Sequence, residues 1–272
     1  MTSRQPSTLQ LTTFTQNNMK TIIITGAGTG IGAATALELA KDSSIRLVLI
    51  GRRQEKLEET LDNLPNQEQH LVLATDISNK EQFSKDLKAI NPERLNIFGL
   101  FANAGIGGEN HYGTDDRWDD IININLTGTY NTIMETLPFL KKSKESFKNI
   151  MITSSCLARF GVPNHTAYIA SKTGLLGMMR GLAVELAPSN ILVNAILPGW
   201  VETEMAKESI QNLADRQNIS YEDSYKQQMG YVPTGKMSQP DEMGRIVTFF
   251  LTNQETSITG QGIDANNGTW MG

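Results

Sequence analysis

Tyr168 and Lys172 stand four residues apart in Tyr168-Ile169-Ala170-Ser171-Lys172. On a helix, positions i and i+4 share a face, so the two side chains can meet over one site. A phenol with an ordinary pKa of about 10 is a poor acid–base group at neutral pH. An ammonium beside it favours the phenolate and lowers that value toward a useful range. Ser155, upstream, offers a hydroxyl that can bond a carbonyl or a developing alkoxide while Tyr168 gives or takes the proton. On spacing alone these residues also fit a helix surface pair and a serine capping a turn.

A second constellation is Thr25-Gly26-Ala27-Gly28-Thr29-Gly30-Ile31-Gly32. It lies between an apolar run and an Ala/Leu-rich one, the setting of a strand–turn–helix. Glycines there let the backbone approach a phosphate, whose charge is favoured by the open N–H groups at the helix start. The residues fit T-G-x-x-x-G-x-G and not G-x-G-x-x-G, because Ile31 and Ala33 interrupt the latter. Tight packing is the alternative use; position in a first βα unit favours dinucleotide binding.

The elements that must position these groups follow from hydrophobic patterning. Strands are expected at Thr21–Thr25, Arg46–Ile50, His70–Thr75, Ile97–Ala102, Asn149–Thr153, Leu192–Leu197 and near Gly262–Ala265. Helices are expected over Ile31–Lys41, Gln54–Leu64, Lys80–Ile90, Asp116–Leu140, Ala167–Leu186 and Asp241–Leu251. The strands are continuously apolar, which suits a parallel sheet covered on both faces. Strand–helix repetition of this kind gives a single-domain, doubly wound α/β fold with right-handed crossovers. Between Pro198 and Pro240 the rhythm breaks into two short polar-faced helices, Glu202–Asp215 and Asp223–Gly230. That segment, about 200–236, reads as a small helical lid over a substrate.

Of 272 residues, 39% are hydrophobic, enough for a sizeable core. A net charge of −5 lacks the basic footprint of a general nucleic-acid binder. No apolar run approaches the length of about 18 residues that a spanning helix needs. Residues 1–18 are polar, without the apolar core of a secretory signal, and read as an N-terminal extension before a domain at 19–272. A cytoplasmic setting is expected. The lone Cys156 forms no intrachain disulfide, and His70, His111 and His165 are too scattered for a metal motif, so no metal is expected. Cys156 reads as structural, because a neighbour of Ser155 on a strand would point to the other face.

With the glycine turn, Asn103-Ala104-Gly105 after the fourth strand, Asn125 in Asn125-Leu126-Thr127-Gly128, Ser155, Tyr168, Lys172, and Pro198-Gly199 with Thr203 fall in one order. In that order and spacing the chain, from Lys20 onward, resembles the short-chain dehydrogenase/reductase family. The resemblance implies a Rossmann fold of about seven strands and hydride transfer between a nicotinamide cofactor and a carbonyl/secondary-alcohol pair. It implies Tyr168 as general acid/base and Lys172 as the group that lowers its pKa and holds the nicotinamide ribose. It further implies Ser155 positioning the substrate oxygen, and Asn125 keeping a water that relays protons from Lys172. The cofactor would lie along Gly26, Gly28, Thr29, Gly30 and Ile31. Asp76-Ile77 would meet the adenine, and Asn103, Ala104 and Gly105 the cofactor side of the fourth strand. Pro198, Gly199, Val201 and Thr203 would border the nicotinamide, with Thr203 on its carboxamide. A catalytically silent dinucleotide-binding regulator or scaffold of the same fold is the alternative.

An acid ending the second strand would bond the ribose 2′-OH and repel a 2′-phosphate. Here that strand runs into Gly51-Arg52-Arg53, and arginine suits phosphate through paired charge-assisted bonds. NADP(H) is therefore favoured, with Arg52 leading and Arg53 second. Thr29 stands where family members place a further basic residue, which leaves NAD(H) as the alternative. The small-molecule substrate would meet Leu157, Val162, His165, Trp200, Val201 and Met205, a mainly apolar set with a large aromatic that suits a medium-sized substrate with an apolar portion. Asn266-Asn267-Gly268 replaces the family's D-G-G near the C-terminus, where subunits commonly meet; a homotetramer is expected, with a dimer the alternative.

Overall fold

The computed structural model describes residues 19–253 and 256–272; the extension expected at 1–18 lies outside the described residues. Seven strands form one parallel sheet: β1 (Lys20–Thr25), β2 (Ile45–Gly51), β3 (Leu71–Ala74), β4 (Asn96–Ala102), β5 (Lys148–Thr153), β6 (Ile191–Pro198) and β7 (Gly262–Ala265). Their spatial order is β3-β2-β1-β4-β5-β6-β7. The order reverses between β1 and β4, and in open α/β sheets the crevice beyond the strand ends at such a point is where ligands gather.

Alternation along each strand divides the core. On β1, Ile22 and Ile24 face one layer and Ile23 the other. The first layer holds α1 (Gly30–Leu39), α2 (Gln54–Asp62) and, near the C-terminus, the helix Pro240–Thr252. The second holds α3 (Lys80–Ala89), a helical stretch from Trp118 to Lys142, and α6 (Thr166–Leu186). The central strands are buried on both faces, as their unbroken apolar character predicts, whereas the edge strands β3 and β7 are half-exposed.

The helix expected over Asp116–Leu140 is interrupted. It comprises α4 (Trp118–Ile122), five residues of π geometry at Asn123–Thr127, and α5 (Gly128–Lys142). π segments inside helices are uncommon and gather at functional sites; this one carries Asn125. The segment expected as a lid holds α7 (Glu204–Gln217) and α8 (Tyr221–Met229), and α9 is Pro240–Thr252. Lid and sheet do not share one core: Ala206, Ile210, Met229, Val232 and Met237 form a separate apolar cluster.

The third strand is shorter than expected, because His70 leaves the strand to serve as a bonding partner. Its Nδ1 accepts the Leu47 N–H at 3.1 Å, and its Nε2 lies 3.1 Å from the Pro65 carbonyl, which assigns the neutral Nε2–H tautomer. Burial pulls its pKa below the ordinary 6.5. As pH falls through the ordinary value, the unfolded chain takes the proton first, so stability is full above that value and is lost below it. We expect the unfolding free energy to fall by up to about 1.4 kcal/mol per pH unit below neutrality from this residue. In His70→Gln that component should be missing; matching pH profiles in denaturant titrations would refute the assignment.

Candidate functional site

Three strand ends converge on one tie. The Thr25 hydroxyl accepts the N–H groups of Asn103 and Ala104, both at 3.1 Å. The Asn103 amide donates to the Thr25 carbonyl at 3.1 Å, and its Oδ1 accepts the Thr153 hydroxyl at 3.0 Å. Asn103 thus joins β1, β4 and β5, and its side chain is consumed by that structural duty. Gly26 has φ +67°, and a Cβ there would lie 2.9 Å from the Ala104 backbone, so glycine is required.

Beside that tie, the N-terminus of α1 is open. Thr29 precedes the helix without a capping side-chain bond, and no acid occupies the first turn. Gly30 has φ +55° and faces the Thr203 methyl of the lid, where a Cβ would approach to 3.1 Å. Such a turn suits a pyrophosphate on helix N–H groups. Arg52 and Arg53, exposed after β2, have no side-chain hydrogen bond or ion pair with any described residue. Lys56 joins them: its Cβ would sit 2.9 Å from a Cβ on Gly28, while its ammonium pairs with Glu59 at 2.7 Å. The sequence reading missed Lys56, although its place one turn after two arginines was visible.

The residues expected to carry acid–base chemistry come together between β5, α6 and the π segment. Lys172, only 5% exposed, donates from Nζ to the Thr153 carbonyl at 2.9 Å and lies 5.6 Å from the centre of the Tyr168 ring. Burial lowers its pKa from 10.5 to about 8. Gly105 closes the far side, where a Cβ would approach Asn125 Oδ1 to 3.0 Å and Lys172 Nζ to 3.5 Å. Asn125 is fully buried and brackets the Ile106 backbone, accepting its N–H at 2.8 Å and donating to its carbonyl at 2.9 Å. Its amide also donates to Ser171 Oγ at 3.2 Å, and Ser171 donates to the Tyr168 carbonyl at 2.7 Å. Asn125 is thereby linked to the turn that carries Tyr168.

Tyr168 departs from one expectation. Its side chain is half-buried, and desolvation raises its pKa to about 12, with Ser155 pulling partway back. The net shift is thus opposite to the lowering expected beside Lys172: the ammonium lies over the ring face and bonds Thr153, and burial dominates. Ser155, two residues beyond β5, accepts the Leu157 N–H at 3.1 Å. Cys156 also corrects its expected placement. It opens a short 3₁₀ turn rather than continuing a strand, and it interacts with both Ser155 and Tyr168. Burial pushes its thiol up to about 11, which leaves it protonated at neutral pH.

Other candidates divide. The Ile77 side chain is buried in the core, and Asp76 Oδ1 is spent on a turn, accepting the Ser78 N–H and hydroxyl at 2.9 and 2.7 Å. Val201 is buried in the sheet core and bridges Ser238, and the half-buried Trp200 packs on the separate cluster of Ala206 and Ile210. Pro198 and Gly199 end β6 against Asn266, where a Cβ on Gly199 would come within 3.1 Å. Thr203 caps α7 by accepting the Ala206 N–H at 3.3 Å. Met205 is partly exposed at the mouth, its sulfur facing Gly107, and Leu157, Val162 and His165 are half-buried. An open cavity of about 560 Å³ lies beside this centre, lined by Asn110, His111, Tyr112, Asp116, Trp118, Asn164 and Thr166. None of Asn125, Ser155, Tyr168 or Lys172 lines it.

The pattern of the family described as short chain dehydrogenase matches residues 20–214. A 3-oxoacyl-[acyl-carrier-protein] reductase of Thermotoga maritima is 29% identical over 253 residues, covering 92% of this chain and 97% of that protein. Its counterpart in Pseudomonas aeruginosa is 30% identical over 259 residues, covering 93% and 98%. Among solved structures, an actinorhodin polyketide ketoreductase variant with NADPH superposes with TM-score 0.86 at 27% identity, covering 94% of this chain and 99% of that one. Levodione reductase superposes at TM-score 0.82 and 26% identity, covering 93% and 98%.

Proposed function

Because the chain belongs to the short-chain dehydrogenase/reductase family, and with it to the NAD(P)-dependent oxidoreductases, we propose that it reduces a ketone carbonyl with NADPH, Tyr168 supplying the proton. The observation that carries this reading is the half-buried phenol of Tyr168 next to Ser155, with the buried Lys172 ammonium 5.6 Å from its ring centre. The cofactor, when bound, supplies the hydride. A phenol held near 12 is fully protonated at neutral pH and suits a donor to a carbonyl gaining negative charge. Ser155 orients the carbonyl oxygen by hydrogen bonding. Lys172 offsets the charge left on Tyr168 and holds the ribose. Both polar atoms of the Asn125 side-chain amide are already bonded to protein, so a proton path from Lys172 would run past its main chain in the π segment.

Choice of NADPH is supported by Arg52 and Arg53, whose guanidinium groups have no hydrogen bond or ion pair with any described residue, and by Lys56 beside Gly28. The relatives fit this direction: two are named as 3-oxoacyl reductases, and one ketoreductase structure contains NADPH. The half-buried apolar residues at the mouth favour a ketone with an apolar arm. The alternatives NAD(H) and alcohol oxidation are distinguished by one experiment: following NADPH and NADH oxidation over ketones, diketones, keto sugars and acyl thioesters. Arg52→Ala should lower kcat/KM with NADPH by about tenfold, matching the loss of a charge-assisted bond, and leave NADH turnover unchanged. An unchanged kcat/KM with NADPH, or equal losses with both cofactors, would show that Arg52 does not read the 2′-phosphate. A homotetramer in the cytoplasm completes the proposal, checked by sedimentation and by fractionation; among the described residues no helix is long and apolar enough to cross a membrane.

A further inference from the structure

We infer that Asn110, in the loop between β4 and α4, is a positioning residue for proton transfer: it caps from outside the helix that carries Tyr168. The first turn of α6 needs acceptors for its open N–H groups. His165, the residue before the helix, makes no capping bond, and its Nδ1 is occupied with the Pro163 carbonyl at 2.8 Å. Asn110 fills that role across 57 residues of chain, its Oδ1 accepting the Ala167 N–H at 2.9 Å and the Thr166 hydroxyl at 3.3 Å. It is only 7% exposed.

The cap is itself held from two further directions. The Asn110 N–H donates to the Asn164 carbonyl at 2.8 Å, and its Nδ2 donates to Asp116 Oδ1 at 3.2 Å. The same carboxylate oxygen accepts the Trp118 N–H at 3.0 Å at the start of α4. A few residues on, the π segment places Asn125 against Ile106, at the other end of the same loop. One loop therefore fixes both the turn bearing Tyr168 and the segment bearing Asn125. Glu109, next to Asn110, pairs with Arg216 of the lid, so the loop also carries the lid's anchor. Tyr168 follows Ala167 directly, and a misplacement on the order of 1 Å at a reacting group can cost about a hundredfold in rate.

This inference rests on the reading of Tyr168 as the proton donor. Its test uses the full chain with NADPH and whichever ketone supports turnover. Asn110→Ala should lower kcat between about tenfold and a hundredfold while KM for NADPH stays within about twofold. It should also speed amide hydrogen exchange at Ala167 and Tyr168. The exchanged pair Asn110→Asp with Asp116→Asn keeps an acceptor for Ala167, a donor between the two side chains and an acceptor for Trp118. It should restore both kcat and slow exchange. Unchanged kcat in Asn110→Ala despite faster exchange would overturn the inference. So would parallel losses of kcat, NADPH affinity and melting temperature that the exchanged pair does not repair. If the wild type oxidises NADPH with no carbonyl, the reading of Tyr168 fails and the positioning role with it, whereas the exchange data still decide whether Asn110 caps α6.

Discussion

Tyr168→Phe is expected to lower ketone-dependent NADPH oxidation by about a thousandfold, within the range for loss of a positioned proton donor. The ring remains, and with it the face over which the Lys172 ammonium lies at 5.6 Å, so the change removes one hydroxyl and little packing. NADPH affinity should stay within about twofold in a fluorescence titration, because the glycine turn and the arginines after β2 are untouched. The split matters because two other hydrogens stand close by. Ser155 and Cys156 both interact with the Tyr168 hydroxyl, and the Cys156 thiol is held at about 11. A variant retaining a tenth or more of wild-type turnover would show that one of them, or water, can deliver the proton, and would end the assignment.

The order and type of the elements were legible because the chain is locally consistent. Each central strand is apolar on both faces and each helix amphipathic or Ala-rich, so patterning and topology agree. The departures have local causes. His70 leaves its strand because a ring nitrogen takes the Leu47 N–H. The helix expected over Asp116–Leu140 loses its regularity at Asn123–Thr127, where Asn125 must reach back to both backbone groups of Ile106. Nothing in the local sequence signals a π turn, since the reason for it is a contact with a loop that ends another strand.

At the candidate site, residue types that define a motif were visible, and residues that serve the motif were not. Thr25 lies within the glycine motif, but its role as acceptor for two N–H groups beyond β4 depends on register between strands. Thr153 offers a backbone carbonyl to Lys172, and a backbone group carries no sequence signature. Asn110 caps a helix that begins 56 positions later, outside any local capping pattern. The direction of the Tyr168 shift was misjudged for a related reason. Spacing says that an ammonium is near, but only packing says how much water the phenol loses, and here that loss prevails.

Lys172→Met is expected to lower reduction by about a hundredfold and to erase an inflection in its pH profile. In the wild type the ammonium has a pKa of about 8, and the phenol stays protonated until about 12. Proton donation leaves a phenolate in a half-buried, partly desolvated place, and a neighbouring positive charge is worth more there than in water. Rising pH removes that charge first, so the reduction rate should decline above pH 8 although Tyr168 still holds its proton. Stability should move the other way. The ordinary value for a lysine is 10.5, so between 8 and 10.5 the folded protein has released a proton that the unfolded chain keeps. Lys172 therefore makes unfolding harder as pH rises through that window. Tyr168 opposes it only above 10, its own ordinary value. Between pH 8 and 10 the protein should thus grow slower while this residue's share of its stability grows larger. Methionine removes the ionisation that produces both trends, so Lys172→Met should show neither. Activity and denaturation midpoints measured across that interval decide the matter: a rate that falls only where the fold itself is lost, or an inflection that survives in Lys172→Met, would assign the titration to another group.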